Sequence, residues 1–274
     1  MDSIVLLGTG CPSPSHERFG PSTLVKSGNQ NILIDAGSGV TQRLSEHGLK
    51  PSAIDIILIT HLHSDHIVDL YQLYISGWHS GRTKPFKLVG PRGIEKFFNK
   101  TMEAYDDELS LRIEWEKRPN KGGLEIEIIE INEEFTFDDQ DIKIKSIEVQ
   151  HQPVEPAYGY EFLVKNKKVT YSGDTKYSKN LENASKNAEY LIHEVFVDLN
   201  FDDKRMTQDT LKNVREYHST PEDVGKLAQA ANVKNLVLNH FVPPVFDEEL
   251  LKNEVSKYYD GKIIVGSDLD VFNL

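Results

Sequence analysis

Ile56-Ile57-Leu58-Ile59-Thr60-His61-Leu62-His63-Ser64-Asp65-His66 is the stretch whose reading decides the fold. Its first half is an apolar, β-branched run, which reads as a buried strand. Its second half places three histidines and an aspartate within six positions, and Ile67-Val68-Asp69-Leu70 then starts a helix. A loop between a strand and a helix turns several short side chains into one space. Neutral imidazoles and a carboxylate are ligands that zinc and similar divalent ions prefer. A merely polar surface loop rarely concentrates histidine in this way, and distant parts of the chain supply further ligands.

His61-Leu62-His63-Ser64-Asp65-His66 matches the HxHxDH motif of the metallo-β-lactamase-fold hydrolases, and the chain resembles that family over nearly its whole length. The resemblance implies two zinc ions, with Mn2+ or Fe2+ as alternatives. It implies that His61, His63 and His151 bind one ion, that Asp65, His66 and His240 bind the other, and that Asp174 bridges them. His151 follows Val149-Gln150, Asp174 sits in Tyr171-Ser172-Gly173-Asp174-Thr175, and His240 closes Leu236-Val237-Leu238-Asn239-His240. Each ends an apolar, strand-like run, as a ligand at a strand's C-terminal edge should. A water held between two such ions is deprotonated near neutral pH, and Asp65 is placed to orient it and take its proton.

A second constellation narrows the branch. Leu191-Ile192-His193-Glu194-Val195-Phe196 and His218-Ser219-Thr220-Pro221 fall between Asp174 and His240. This order resembles the tRNase Z and arylsulfatase branch, which implies that Glu194 orients His218 and that His218 donates a proton to the leaving oxygen. Histidine titrates close enough to neutrality for that work. The bland alternative makes His218 only the residue before a helix cap. Arg18 and Phe19 lie in the loop after Cys11-Pro12-Ser13-Pro14, which by resemblance borders the substrate; a guanidinium suits a phosphate or sulfate. His79 is a candidate for the pocket mouth, and His47 reads as a helix-end surface residue.

The bulk properties bound the rest. The 274 residues are 38% hydrophobic and 27% charged, ordinary for a globular protein. No apolar run approaches the roughly 18 residues of a membrane span, so no membrane partner is expected. Met1-Asp2-Ser3 leads directly into a strand, so a cytoplasmic location is expected, or a periplasmic one if a signal peptide was removed. The single Cys11 excludes an internal disulfide and reads as a partly buried thiol. A homodimer is compatible with all of this. The net charge of −12, with no Lys/Arg-rich run, argues against a large polyanionic substrate.

Along the chain, strands are expected at residues 4–7, 23–26, 31–34, 54–59, 86–89, 124–131, 135–137, 142–149, 158–164, 169–172, 190–196, 236–239 and 263–265. Helices are expected at 40–47, 65–75, 91–105, 221–231 and 248–258. Thr220-Pro221-Glu222-Asp223 is a helix start, with Thr as cap, Pro in the first turn and acids at the positive end. Periodicity gives an α/β or α+β domain rich in hairpins. The resemblance implies one α+β domain over residues 1–274, an αββα four-layer sandwich of two mixed β-sheets with helices outside.

The family's tRNA-processing members carry a long basic arm, which in the bacterial short form lies between the ligands matching His151 and Asp174. Here those residues are 174 − 151 = 23 positions apart, used up by two strands and their turn. The first reading is therefore a dinuclear zinc hydrolase cleaving a small anionic ester, a phosphodiester or an aryl sulfate, with tRNA not expected as a partner. The alternatives are a tRNA 3′-processing endoribonuclease of the ribonuclease Z kind, or a lactonase using the same metals. From another class, flavodiiron-like redox proteins keep similar ligands, but this chain carries no flavin domain.

Overall fold

The computed structural model describes residues 2–119, 121–199 and 207–274. The first half runs β1 (Ser3–Gly8), β2 (Ser22–Ser27), β3 (Gln30–Ile34), α1 (Val40–Glu46), β4 (Ile56–Leu58), α2 (Ser64–Ile67), α3 (Leu70–His79), β5 (Phe86–Pro91), α4 (Ile94–Ala104), α5 (Asp106–Glu116) and β6 (Ile126–Ile131). The second runs β7 (Thr136–Asp138), β8 (Ile142–Val149), β9 (Ala157–Val164), β10 (Lys167–Tyr171), α6 (Lys179–Ala184), β11 (Tyr190–Phe196), α7 (Gln208–Arg215), α8 (Pro221–Ala230), β12 (Asn235–Val242), α9 (Glu248–Val255), β13 (Lys262–Val265) and β14 (Val271–Asn273).

Two seven-stranded mixed sheets result, ordered β14-β1-β2-β3-β4-β5-β6 and β13-β12-β11-β10-β9-β8-β7. Each is antiparallel at its hairpin end and parallel where helices intervene, at β3-β4-β5-β6 and at β10-β11-β12-β13. The pattern of β4 follows from its place. Ile56 and Leu58 face the other sheet, while Ile57 and Ile59 face the helices outside, so both sides are buried and the run is apolar throughout. One core lies between the sheets and includes Leu6, Leu58, Tyr160 and Ile192. A second joins the outer face of the first sheet to α1, α3 and α4, and a third joins the second sheet to α6, α8 and α9. This is the αββα sandwich expected. No helix among the described residues is long and apolar enough to cross a membrane.

The differences from expectation are local. The single helix expected over 65–75 is broken into α2 and α3. Asp69 causes the break: its carboxylate accepts from the Gly39 N–H at 2.6 Å, and its own N–H donates to the Ala36 carbonyl at 3.0 Å. Helix α4 starts at Ile94 rather than 91, because β5 continues through Pro91 and Gly93 takes the left-handed backbone at φ 105°. Helices α5, α6 and α7 and strand β14 were not expected. Helix α8 starts as expected: Thr220 Oγ1 accepts from Asp223 N–H and the Asp223 carboxylate from Thr220 N–H, a capping box.

Candidate metal centre and active site

Three strand ends and one position inside a fourth strand deliver the cluster. The segment after β4 carries His61 and His63 and leads into the single turn of α2, which presents Asp65 and His66. His151 follows β8, Asp174 follows β10, and His240 lies within β12. Gly173 makes the turn before Asp174 at φ 59°, where a Cβ would meet the Tyr158 carbonyl at 2.5 Å. His240 itself holds the left-handed backbone at φ 42°, a strained conformation of the sort found at functional sites.

The seven side chains form two groups, His61, His63, His151 and Asp174, and Asp65, His66 and His240, with the ligand atoms of each within 4.8 Å of one another. His61 Nε2 and His151 Nε2 stand 2.9 and 3.1 Å from His63 Nδ1, and His66 Nε2 stands 3.2 Å from His240 Nε2. Asp174 Oδ2 lies between the groups, 3.8 Å from His61 Nε2, 3.9 Å from His151 Nε2, 3.5 Å from His66 Nε2 and 3.4 Å from His240 Nε2. Nitrogen lone pairs converging this closely repel unless a proton or cation sits among them. Imidazole and carboxylate donors in this number suit a divalent ion such as zinc, and the cluster fits a metal site.

Two of the outward nitrogens are held. His66 Nδ1 donates to Asp35 Oδ2 at 2.8 Å, and Asp35 Oδ1 also accepts from the Thr60 N–H at 2.8 Å. His151 Nδ1 donates to the Tyr217 carbonyl at 2.9 Å. These bonds fix the tautomers that point Nε2 inward. Burial holds His61 neutral, well below its usual titration range, with His66 adding to the effect. Burial likewise carries His151 down to about 4. Burial opposes ionisation of Asp174, but His240, His66 and His61 outweigh it and hold the carboxyl well below the usual range. Burial also disfavours charge on His66, yet Asp174, Asp35 and Asp65 carry it well above its usual value.

Beside the cluster, His218 Nδ1 stands 3.0 Å from Glu194 Oε1, and both residues are buried. The same oxygen accepts from the backbone N–H groups of Thr175 and Ser219 at 3.1 Å. His218, Asp65, Asp174 and His240 line one cavity of about 310 Å3, walled also by Pro12 and Tyr217. An adjoining cavity of about 340 Å3 shares Asp65 and Pro12 and is lined by Phe19.

Of the residues expected at the substrate, Arg18 and Phe19 line the adjoining cavity, while His79 lines neither. Arg18 is buried, and its guanidinium donates to Thr9 Oγ1 at 2.8 Å, to the Gly266 carbonyl at 2.6 Å and to Glu248 Oε1 at 2.9 Å, lying 4.3 Å over the Phe241 ring. These contacts tie the loop down, and two of the three partners, Gly266 and Glu248, lie more than 200 positions away, which the sequence could not disclose. His79 ends α3, 3.9 Å from Glu116, and lines neither cavity that holds cluster residues. Phe19 is half-buried beneath Arg43, 4.0 Å from its ring centre. Asp35 and Tyr217 escaped the sequence reading. For Asp35 the available signal was an acid ending an apolar strand, in Ile34-Asp35-Ala36-Gly37; it too holds a left-handed backbone, at φ 60°.

Comparisons with known proteins agree with this geometry. A family model described as a beta-lactamase superfamily domain matches residues 30–241. The ribonuclease Z of Mycobacterium marinum is 31% identical over 277 residues, covering 98% of this chain and 97% of that protein. That of Mycobacterium bovis is 32% identical over 275 residues with the same coverage. Among solved structures, the metallo-β-lactamase fold protein YhfI from Bacillus subtilis superposes with a TM-score of 0.76 at 20% identity, covering 99% of this chain and 98% of that one. The short form of human tRNase Z gives 0.70 at 24% identity with the same coverage. Both likenesses are likenesses of fold.

Proposed function

We propose that this chain, which belongs to the β-lactamase superfamily, is a metal-dependent phosphodiesterase of the ribonuclease Z kind that cuts RNA. The observation that carries the reading is the end-to-end likeness to proteins named ribonuclease Z, with nearly the whole of both chains aligned. It outweighs the expectation of a small ester, which rested on charge and on a short segment. Their coverage of 97% over 275 to 277 residues means that those relatives are about as long as this chain.

In this reading His61, His63 and His151 would hold one divalent ion, Asp65, His66 and His240 would hold a second, and Asp174, which lies between the two groups, would serve as a ligand to them. Bound divalent ions supply Lewis acidity, which offsets phosphate charge and makes water nucleophilic near neutral pH. The side chains do the rest. Asp65, which lines both cavities, orients the attacking water and accepts its proton. Glu194 engages His218 Nδ1, which leaves Nε2 to deliver a proton to the departing oxygen as the P–O bond breaks. Buried Asp35 keeps His66 turned inward.

The test is direct. Metal-loaded protein is offered a precursor tRNA with a 3′ trailer and, separately, bis(p-nitrophenyl) phosphate. Site-specific cutting at the 3′ boundary, abolished by a chelator, is the expected result. Hydrolysis of the aryl ester alone would sink the RNA reading in favour of a small anionic ester. That second reading keeps one observation on its side: β9, β10 and their short connections make up the 22 residues between His151 and Asp174, leaving no room for a gripping arm there.

A further inference from the structure

Four rings meet the His218 imidazole among the described residues: His151 at 5.1 Å, Phe196 at 6.3 Å, Tyr217 at 4.8 Å and His240 at 6.1 Å between centroids. His151 and His240 belong to the cluster. Phe196 is fully buried and lines no cavity beside it. Tyr217 alone is half-buried and forms part of the cavity wall. Its ring also stands 5.2 Å from His151 and 6.5 Å from His63. Its carbonyl supports His151, but that is backbone chemistry available to any residue. The hydroxyl makes no hydrogen bond to a described residue. An aromatic ring at the rim, next to the group that faces the leaving oxygen, is a stacking platform for whatever that oxygen carries.

We propose that Tyr217 is a substrate-contacting residue that stacks on the planar group attached to the leaving oxygen, a nucleobase-bearing nucleoside or an aryl ring. This deepens the phosphodiesterase reading and rests on its placement of His218, but not on the substrate being RNA. Pro12 and Val242 complete an apolar wall in a cavity of about 310 Å3.

Isothermal calorimetry of the metal-loaded protein with phenyl phosphate, cyclohexyl phosphate and inorganic phosphate tests the proposal without turnover. The wild-type protein should bind phenyl phosphate more tightly than cyclohexyl phosphate, by at most the roughly 5- to 160-fold that stacking on an aromatic side chain is worth. Tyr217→Phe should keep that preference. Tyr217→Leu should lose it, with metal content and inorganic phosphate affinity unchanged. Three outcomes would overturn the proposal: no preference in the wild-type protein, a preference that survives in Tyr217→Leu, or a parallel loss of inorganic phosphate affinity, which would make Tyr217 a support of the cluster. An intact preference without precursor tRNA cleavage would fault the RNA reading alone; tRNA cleavage without the preference would fault Tyr217 alone.

Discussion

Glu194 Oε1 lies 3.0 Å from His218 Nδ1 in a pair shielded from solvent, and two backbone N–H groups hold the same oxygen in place. The histidine is thus fixed in orientation by an acid that is itself fixed, the arrangement that a positioned proton donor requires.

His218→Ala should therefore cost most where the leaving group is poor. A general acid is typically worth about 10²–10⁴-fold, and that loss should appear with an alkyl leaving group, whose alkoxide must be protonated as it departs. Nitrophenolate is stable as an anion, so the loss on an aryl phosphodiester should be much smaller. Glu194→Gln should show the same pattern more weakly. Equal losses on both substrates, or lost metal in His218→Ala, would remove the proton-donor role.

Among the described residues, Asp35 makes its side-chain hydrogen bonds to His66 and Thr60 and reaches the cluster through His66. Outer partners of ligand histidines are typically worth about 10–100-fold in metal affinity, and Asp35→Asn should weaken metal binding by that order in a competition titration with a chelator. Wild-type protein should hold about two ions per chain by elemental analysis. A single-ion protein that is fully active, and gains nothing from added metal, would contradict the dinuclear assignment.

Arg18→Ala should destabilise the fold without changing affinity for phosphate esters. It removes two buried hydrogen bonds and one part-buried one, and leaves the Gly266 carbonyl and Thr9 hydroxyl short of a partner, at a cost of roughly 1–3 kcal/mol. Denaturant melts and the Kd of phenyl phosphate measure the two effects. Unchanged stability with weakened phosphate binding would return Arg18 to the substrate.

Burial pushes the Cys11 thiol up to about 11. The raised value means that the reactive thiolate is present only as pH rises toward that point; at pH 8 it is about one part in a thousand. Iodoacetamide should therefore label the native protein slowly at pH 8, faster as pH rises, and much faster once the chain is unfolded. Stoichiometric labelling within minutes at pH 8 would contradict the buried placement.

What the sequence determined by itself is the part encoded locally. The apolar run at 56–59 required a strand buried on both faces, the histidines after it required a ligand cluster, and Thr220-Pro221-Glu222-Asp223 required a capped helix. These signals depend on neighbours within a few positions, which a chain carries in any context. The αββα architecture and the ligand set were legible only because their motifs resemble a family. The tertiary structure alone decided the rest. Arg18 became a clamp because Gly266 and Glu248 arrive from the far end of the chain. Asp69 split a periodic helix because Ala36 and Gly39 pack against it. Asp35 entered the metal site because β3 and β4 pair in parallel and end side by side, which brings its carboxylate under His66. In each case a polar group found its partner across a long sequence separation, and no local pattern records which partner folding will supply.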